Sequence, residues 1–150
     1  MDVDGVLTDG SLLIAENGEQ LRTMNIKDGY AIQHAIKNGF EVCIISGSTS
    51  EGVRLRLEGL GVKNIYMNCH DKKKQLLKWL TANRIETNQV LFIGDDIPDR
   101  EVMSVVGLLC CPSDAVAEIK SVSKYIAAQK GGEGCVREII EKVLKQQGKW

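Results

Sequence analysis

The chain has 150 residues, of which 43% are hydrophobic and 26% are charged, and its net charge is −1. This length suits one globular domain with a sizeable core, and the near-zero charge favours neither nucleic acid nor an anionic membrane as a partner. The longest apolar runs, such as Val42 to Ile45, are too short to span a bilayer, and no charged-then-apolar leader opens the chain. Five cysteines without metal-site or disulfide spacing predict free thiols and a cytoplasmic protein.

Short apolar runs alternate with helical patterns along the chain, which predicts βα units around a parallel sheet. The predicted strands are residues 41–45, 64–66, 90–93 and 107–110, and the predicted helices are about 30–38, 50–60, 72–83, 99–105, 115–121 and 135–146. Gly39 and Gly61 stand where helix C-terminal caps belong, and Ser50 can cap the second helix. We therefore predict a doubly wound α/β fold with three layers, forming a single domain over residues 1–150.

One segment breaks this alternation. The apolar stretches 11–15 and 19–24 flank Asn17-Gly18, which is a strong signal for a two-residue hairpin turn. A hairpin at this point would leave the sheet as a flap with exposed edges, and another subunit is the simplest cover for them.

The start of the chain carries a second irregularity. Asp2 is expected at the carboxyl end of the first and most central strand, yet only Met1 precedes it. We expect upstream residues to complete this strand, because both neighbouring strands would otherwise expose unpaired backbone groups.

Asp2 and Asp4 form the first acidic motif, followed directly by Gly5. Residues two apart on a strand point to the same side, so both carboxylates can act on one phosphoryl group. Asp2 would attack phosphorus, while Asp4 would protonate the leaving oxygen and later accept a proton from water. The alternatives for this motif alone are a solvated acidic loop and an aspartate that caps a turn.

A second acidic cluster, Asp95, Asp96 and Asp99, follows the apolar run 90–93 and a glycine. Ligands gather at the carboxyl ends of strands in such sheets, so both clusters should meet at one edge. Mg²⁺ prefers oxygen ligands, and we predict that Asp2, Asp95 and the backbone carbonyl of Asp4 bind it. Asp96 and Asp99 would orient these ligands or contact metal-bound water, although Asp99 taken alone also suits a helix N-cap.

Ser46 and Lys72 complete the predicted site. Ser46 ends an apolar run, and its hydroxyl with the following backbone N–H groups, including that of Gly47, could hold phosphate oxygens. Lys72 could neutralise Asp2 and the transferring phosphoryl group. Taken singly, the serine-rich turn suits a helix cap and Lys72 a solvated helix start. Together with the acidic motifs, these residues indicate magnesium-dependent phosphoryl transfer.

In order and spacing, Asp2-x-Asp4, Ser46, Lys72 and Gly-Asp95-Asp96-x-x-Asp99 resemble the four motifs of the haloacid dehalogenase superfamily. The stretches 2–10, 25–30 and 131–138 are further similar to the capless 3-deoxy-D-manno-octulosonate 8-phosphate phosphatases. This resemblance covers essentially the whole chain. It implies a Rossmann-like fold without a cap domain, hydrolysis of a sugar-acid phosphate on the route to lipopolysaccharide, and a homotetramer in which hairpins associate and tails close over neighbouring sites.

The resemblance also assigns contacts with the substrate. They fall on Asn25, Ile26, Lys27, Asp28, Gly29, Gly47, Arg56, Lys72 and Arg137. Gly131, Gly132 and Gly134 would let the tail swing and bring Arg137 to an adjoining site. Ser48 and Gln33 depart from the family pattern by removing positive charge, which leaves open a related nine-carbon keto-deoxy sugar acid 9-phosphate as the substrate.

Two other classes of protein share some of these features. A phosphoacceptor signalling domain also combines acidic residues, a hydroxyl and a lysine around Mg²⁺, but its lysine comes last in the chain, whereas Lys72 precedes Asp95. A non-catalytic assembly domain, like those fused to sugar nucleotidyltransferases, has no need of a general acid. Asp4 therefore favours the phosphatase.

Overall fold

The computed structural model describes all residues from 1 to 150. The strands are β1 Leu13–Ile14, β2 Gln20–Leu21, β3 Cys43–Ile45, β4 Asn64–Tyr66, β5 Leu91–Ile93, β6 Leu108–Cys111 and β7 Tyr125–Ile126. The helices are α1 Ile26–Lys37, α2 Glu51–Gly59, α3 Lys72–Asn83, α4 Arg100–Met103, α5 Ala117–Val122 and α6 Cys135–Gln146, with 3-10 turns at Thr87–Gln89 and Ile97–Asp99. None of these helices combines the length and the apolar composition that crossing a membrane requires.

Every predicted strand and helix is present, and the differences lie at the ends. Helix α1 begins four residues before the predicted start, because the Asn25 side chain accepts a hydrogen bond from Lys27 N and caps it there. Helix α4 is shorter than predicted: it begins one residue later, directly after a 3-10 turn that contains Pro98, and ends two residues earlier, at Met103. Strand β7 was not predicted, since two residues are too few to show a hydrophobic period.

The first two residues occupy the centre of the parallel sheet. Strand β3 pairs in parallel with β4, and β5 pairs in parallel with β6, which pairs with β7. Between β3 and β5, the Met1 amino group donates to Cys43 O (2.8 Å), Ile45 N to Met1 O (3.0 Å), and Asp2 N to Ile93 O (3.0 Å). Asp2 therefore lies at the carboxyl ends of the two central strands, as predicted. That upstream residues extend this strand remains a prediction.

Helices cover both faces of the sheet. Neighbouring strand residues point to opposite faces, so Ile44 joins one buried cluster and Ile45 the other. The first cluster packs α1, α2 and α6 on one face, and the second packs α3, α4 and α5 on the other. The prediction of a three-layer, doubly wound α/β fold is confirmed, and these elements include no separate cap domain.

Strands β1 and β2 form an antiparallel hairpin that is separate from the parallel sheet. The Asn17 Oδ1 atom accepts Glu19 N at 3.0 Å, and Gly18 adopts a φ of 83°, which few other residues tolerate. Leu13 and Ile14 are 67% and 59% exposed. The hairpin thus projects as a flap whose apolar side chains face solvent within the single chain.

Candidate active site

The carboxyl ends of the central strands bring three acidic residues and one lysine to one point. The Lys72 Nζ atom lies 2.7 Å from Asp2 Oδ2 and 2.7 Å from Asp99 Oδ1. The second oxygen of Asp99 accepts a hydrogen bond from the backbone N–H of Asp95 at 3.0 Å. Asp2, Lys72 and Asp99 are all buried. A buried lysine between two carboxylates is a charge-neutralising arrangement rather than a solvated helix start.

Glycines allow the two acidic motifs to approach this closely. A Cβ atom on Gly5 would lie 2.0 Å from Asp95 Oδ2, and the φ of Gly5 is +81°. A Cβ atom on Gly94 would lie 2.6 Å from the Asp99 carboxylate. Both positions therefore require glycine for contact between the segments, in addition to the turn that Gly5 makes.

The site carries more negative charge than its lysine balances. Burial, followed by the Asp99 charge, raises the pKa of Asp2 to about 6. Burial and the charges of Asp99, Asp2 and Asp96 raise the pKa of Asp95 to about 7. For Lys72, burial acts to lower the pKa, but the charges of Asp2 and Asp99 outweigh it and raise the pKa overall. Both carboxyls thus favour a further positive charge nearby.

The same carboxylates fit a divalent cation. Asp2 Oδ1 and Asp95 Oδ1 are buried and have no hydrogen-bond partner. Carboxylate oxygens of Asp2, Asp95 and Asp99 all lie within 4.8 Å of one another. Unpartnered buried anionic oxygens are costly unless a cation satisfies them, and an all-oxygen set suits a hard ion such as Mg²⁺.

The carboxylate of Asp4 points to a different partner. Arg22 donates from Nε to Asp4 Oδ1 at 2.7 Å and from Nη2 to Asp4 Oδ2 at 3.1 Å. Sequence reasoning did not find Arg22, because it lies eighteen residues away on the hairpin. The available signal was a basic residue at the end of the hairpin, close to the start of α1.

Ser46 and the turn after it lie at the same edge of the sheet. Ser46 is buried at the end of β3, its N–H donates to Tyr66 O, and its Oγ accepts Ser48 N at 3.1 Å. Gly47 is free of crowding, since the nearest atom to a Cβ there would be Cys69 O at 3.9 Å. The serine-rich turn also caps a helix, because Ser50 accepts Val53 N at the start of α2.

Asp96 and Asp99 have separate tasks. Asp96 Oδ1 accepts Ile97 N at 2.7 Å and so caps the 3-10 turn. The Asp99 carboxylate makes no capping hydrogen bond to α4 and instead joins Lys72 to Asp95 N. Asp99 thus occupies the N-cap position of α4, as its alternative role predicted, but its side chain serves the acidic cluster instead of the helix.

The residues assigned to the substrate by resemblance divide into an exposed and a buried group. Ile26 and Lys27 are exposed at the start of α1. Asn25 caps this helix and donates from Nδ2 to Gly132 O at 3.2 Å. Asp28 is buried, accepts Arg137 N at 2.6 Å, and has its pKa raised chiefly by burial. In this arrangement Asp28 holds the start of α6.

Arg56 faces a polar cavity of about 690 Å³ between the hairpin and the start of α2. Gly29 makes room for this arginine, because a Cβ atom on Gly29 would lie 2.9 Å from Arg56 Nη2. Arg22 lines the same cavity. Two arginine side chains therefore border this space, and one of them, Arg22, also bonds to the carboxylate of Asp4.

Arg137 lies between aromatic rings on the outer side of α1 and α6. Its Cζ atom is 4.3 Å from the Trp150 ring centroid and 5.3 Å from that of Tyr30, and its Nε is 2.7 Å from Glu141 Oε2. No hydrogen bond or ion pair joins Arg137 to the acidic cluster. Its contact with the substrate of an adjoining subunit remains a prediction.

The glycine-rich segment packs closely against the first acidic loop. A Cβ atom on Gly131 would lie 2.0 Å from Gly5 O, and one on Gly132 would lie 2.6 Å from Asp9 N. Gly132 N donates to Val6 O at 3.0 Å. We expected these glycines to act as a hinge, but in the folded chain the first two are needed for close backbone contact.

Comparison with known proteins defines the class first. A profile of haloacid dehalogenase-like hydrolases matches residues 64–139. The chain is also 36% identical over 149 residues to 3-deoxy-D-manno-octulosonate 8-phosphate phosphatase of Escherichia coli K12, covering 99% of this chain and 79% of that protein.

Solved structures agree with this classification. The phosphatase of Moraxella catarrhalis in complex with magnesium, phosphate and KDO superposes with a TM-score of 0.95 at 32% identity, covering 99% of this chain and 85% of that one. The cobalt-bound phosphatase of Haemophilus influenzae superposes with a TM-score of 0.94 at 30% identity, covering 98% of this chain and 86% of that one. The chain therefore belongs to the haloacid dehalogenase superfamily and, within it, to the family of 3-deoxy-D-manno-octulosonate 8-phosphate phosphatases.

Proposed function

We propose that this protein is a magnesium-dependent phosphatase that hydrolyses 3-deoxy-D-manno-octulosonate 8-phosphate to the free sugar acid and phosphate. One observation carries the proposal: buried Asp2 lies against Lys72 and near Asp95, with unpartnered carboxylate oxygens, while Asp4 follows two residues later. This is the arrangement that an aspartyl-phosphate mechanism requires. Relatives in this family are phosphatases for that substrate by name.

The reaction proceeds in two displacements at Asp2. A carboxylate oxygen of Asp2 attacks phosphorus, the bond to the sugar oxygen breaks, and Asp4 gives that oxygen a proton. Asp4 then takes a proton from water, and the water oxygen attacks phosphorus and releases phosphate with Asp2 restored. The ammonium of Lys72 stabilises the negative charge on the transferring group and keeps Asp2 oriented by their 2.7 Å contact.

The metal site rests on Asp2, Asp95 and the backbone carbonyl of Asp4, with Asp99 and Asp96 behind them. Asp2 and Asp95 each have a buried oxygen without a partner, which is where a cation is needed. Bound there, Mg²⁺ would reduce repulsion between Asp2 and the phosphate and polarise the phosphoryl group. Asp99 holds the N–H of Asp95 and the ammonium of Lys72, and so fixes the ligand set from behind.

Substrate recognition is divided between a phosphate-binding site at the end of β3 and the polar cavity. For the phosphate we propose the Ser46 hydroxyl and the N–H of Gly47, which follow the carboxyl end of β3, while the Ser48 N–H supports the Ser46 hydroxyl. Arg56 borders the 690 Å³ cavity, and its planar fork suits the carboxylate of a sugar acid. Of the α1 residues, exposed Lys27 is available to a substrate, whereas buried Asp28 supports α6.

The decisive experiment measures phosphate release from purified protein with a panel of sugar-acid phosphates. The panel should include the eight-carbon 8-phosphate and the nine-carbon 9-phosphate, each with Mg²⁺ and with excess chelator. We expect the highest kcat/KM with the eight-carbon substrate and loss of turnover on chelation. Preference for the nine-carbon compound would support the alternative substrate. No release from any compound would support a non-catalytic assembly domain.

We also propose a homotetramer that acts in the cytoplasm in lipopolysaccharide precursor synthesis. The exposed apolar side chains of the hairpin support the assembly, because a two-stranded hairpin has too little core to hide them alone. Hairpins from four copies would pack together at the centre. Five unpaired cysteines suit a reducing compartment.

A further inference from the structure

The ion pair between the hairpin and the first acidic motif has no part in the mechanism as described so far. We propose that Arg22 is a positioning residue for Asp4, so that the hairpin sets the direction in which the general acid points. This inference rests on the proposed phosphatase function, and it assigns to the hairpin a role in catalysis in addition to assembly.

The geometry of the pair fixes both oxygens of the Asp4 carboxylate. Arg22 Nε donates to Oδ1 at 2.7 Å and Nη2 donates to Oδ2 at 3.1 Å, which is the parallel two-bond arrangement. A planar fork holding two oxygens restricts rotation of the carboxylate about its terminal bond, which a single donor does not. No other side chain in the structure bonds to this carboxylate.

Arg22 is itself held firmly. Its side chain is only 6% exposed, although it directly follows β2, whose last residue, Leu21, is 44% exposed. The third nitrogen, Nη1, donates to Gln20 O on β2 at 3.2 Å. The guanidinium is therefore anchored to the hairpin at one end and to Asp4 at the other, and movement of the hairpin is transmitted to Asp4.

Asp4 keeps an open side on which it can act. Its side chain is 37% exposed, in contrast to 11% for the nucleophile Asp2. Arg22 also borders the 690 Å³ cavity that Arg56 lines. Arg22 thus contacts the general acid and also borders the space proposed for the sugar acid. A residue in this position can align Asp4 with the bound substrate.

Two substrates whose leaving groups differ in their need for a proton separate this role from others. The leaving oxygen of a sugar phosphate must be protonated, whereas p-nitrophenolate departs without a proton. For Arg22→Gln we expect kcat on the sugar-acid phosphate to fall about 10–100-fold, a fraction of the 10²–10⁴-fold value of general acid–base catalysis. On p-nitrophenyl phosphate we expect the first step, measured as the burst of p-nitrophenolate, to change less than about 3-fold, because departure of this leaving group needs no proton from Asp4. The second step, in which Asp4 takes a proton from water, is common to both substrates.

Arg54→Gln is the matched control, because Arg54 is exposed on α2 and pairs only with Glu51 and Glu58. This variant should leave the rates on both substrates unchanged. Arg22→Lys should recover part of the loss, since an ammonium restores the charge without the fork. In an Asp4→Asn background, Arg22→Gln should cost less than about 2-fold more, because both changes act through one group.

A burst of p-nitrophenolate that slows as much as kcat on the sugar-acid phosphate would overturn the inference, as would independent, multiplicative losses in the double variant. Each variant is compared at the assembly state of the wild-type protein, determined by sedimentation. If Arg22→Gln does not fold, the comparison of the two substrates with Arg22→Lys decides the question on the same criterion. A wild-type protein inactive on every phosphate would instead defeat the proposed function.

Discussion

The acidic cluster and the hairpin both lack partners within the chain, but the cluster lacks them for buried charged groups and the hairpin for exposed apolar groups. At the cluster, Asp2 and Asp95 bury carboxylate oxygens that lack partners. At the hairpin, Leu13 and Ile14 expose apolar surface that the chain does not cover. The first deficit is one of charge and calls for a cation, whereas the second is one of apolar contact and calls for another protein surface.

The largest expected effect comes from removing the nucleophile. Asp2→Asn should abolish measurable turnover, because an amide cannot form the aspartyl phosphate. The variant should still fold, since the amide oxygen can accept from Lys72 in place of Asp2 Oδ2. Phosphate release over hours, with circular dichroism as the folding control, checks this expectation. Turnover within tenfold of wild type would place the nucleophile elsewhere.

Removing the general acid should have a smaller effect that depends on the leaving group. Asp4→Asn should lower kcat on the sugar-acid phosphate by about 10²–10⁴-fold, while leaving binding of metal and phosphate largely intact. Steady-state kinetics, together with Mg²⁺ titration by calorimetry, separates these properties. Retention of more than a tenth of the wild-type rate would contradict the role of Asp4.

The charge deficit predicts an unusual pH dependence of stability in metal-free protein. The pKa values of Asp2 and Asp95 rise from 3.8 to about 6 and about 7, so the folded state binds more protons than the unfolded state between about pH 4 and pH 7. The free energy of unfolding should therefore fall as pH rises through this range, by an amount on the order of 7 kcal/mol, because each unit of pKa shift corresponds to about 1.4 kcal/mol.

Mg²⁺ should reverse this loss, because it replaces the missing positive charge. Denaturant unfolding at pH 5 and at pH 8, with chelator and with saturating Mg²⁺, measures the effect, and the stabilisation should be larger at pH 8. Asp95→Asn is the control and should reduce both the pH dependence and the response to metal. Equal stabilisation by Mg²⁺ at the two pH values would show that the cluster is not where the charge deficit lies.

The apolar deficit predicts a change in assembly with the smallest effect on the fold itself. Leu13→Asp and Ile14→Asp should each dissociate the proposed tetramer, while changing the unfolding free energy of the single chain by no more than about 0.5 kcal/mol. Sedimentation velocity at micromolar concentration measures the assembly. Leu77→Asp, a partly exposed position on α3, is the matched control and should stay tetrameric. If the wild-type protein sediments as a monomer, the exposed apolar side chains of the hairpin do not form an assembly surface.

The sequence by itself determined the elements and most of the site. Periodicity located the strands and helices, and the ends of the apolar runs placed Asp2, Ser46 and Asp95 at one sheet edge. Chain order and residue type sufficed here, because parallel strands bring their carboxyl ends together whatever the details of packing.

Only the tertiary structure decided the partners of the charged groups. Lys72 could have been a solvated helix start, Asp99 a helix cap and Gly131 part of a hinge. Arg22 carried no local sign that it would reach Asp4. These outcomes depend on contacts between residues eighteen to more than a hundred positions apart, and burial at such contacts sets the charge balance that local sequence patterns do not encode.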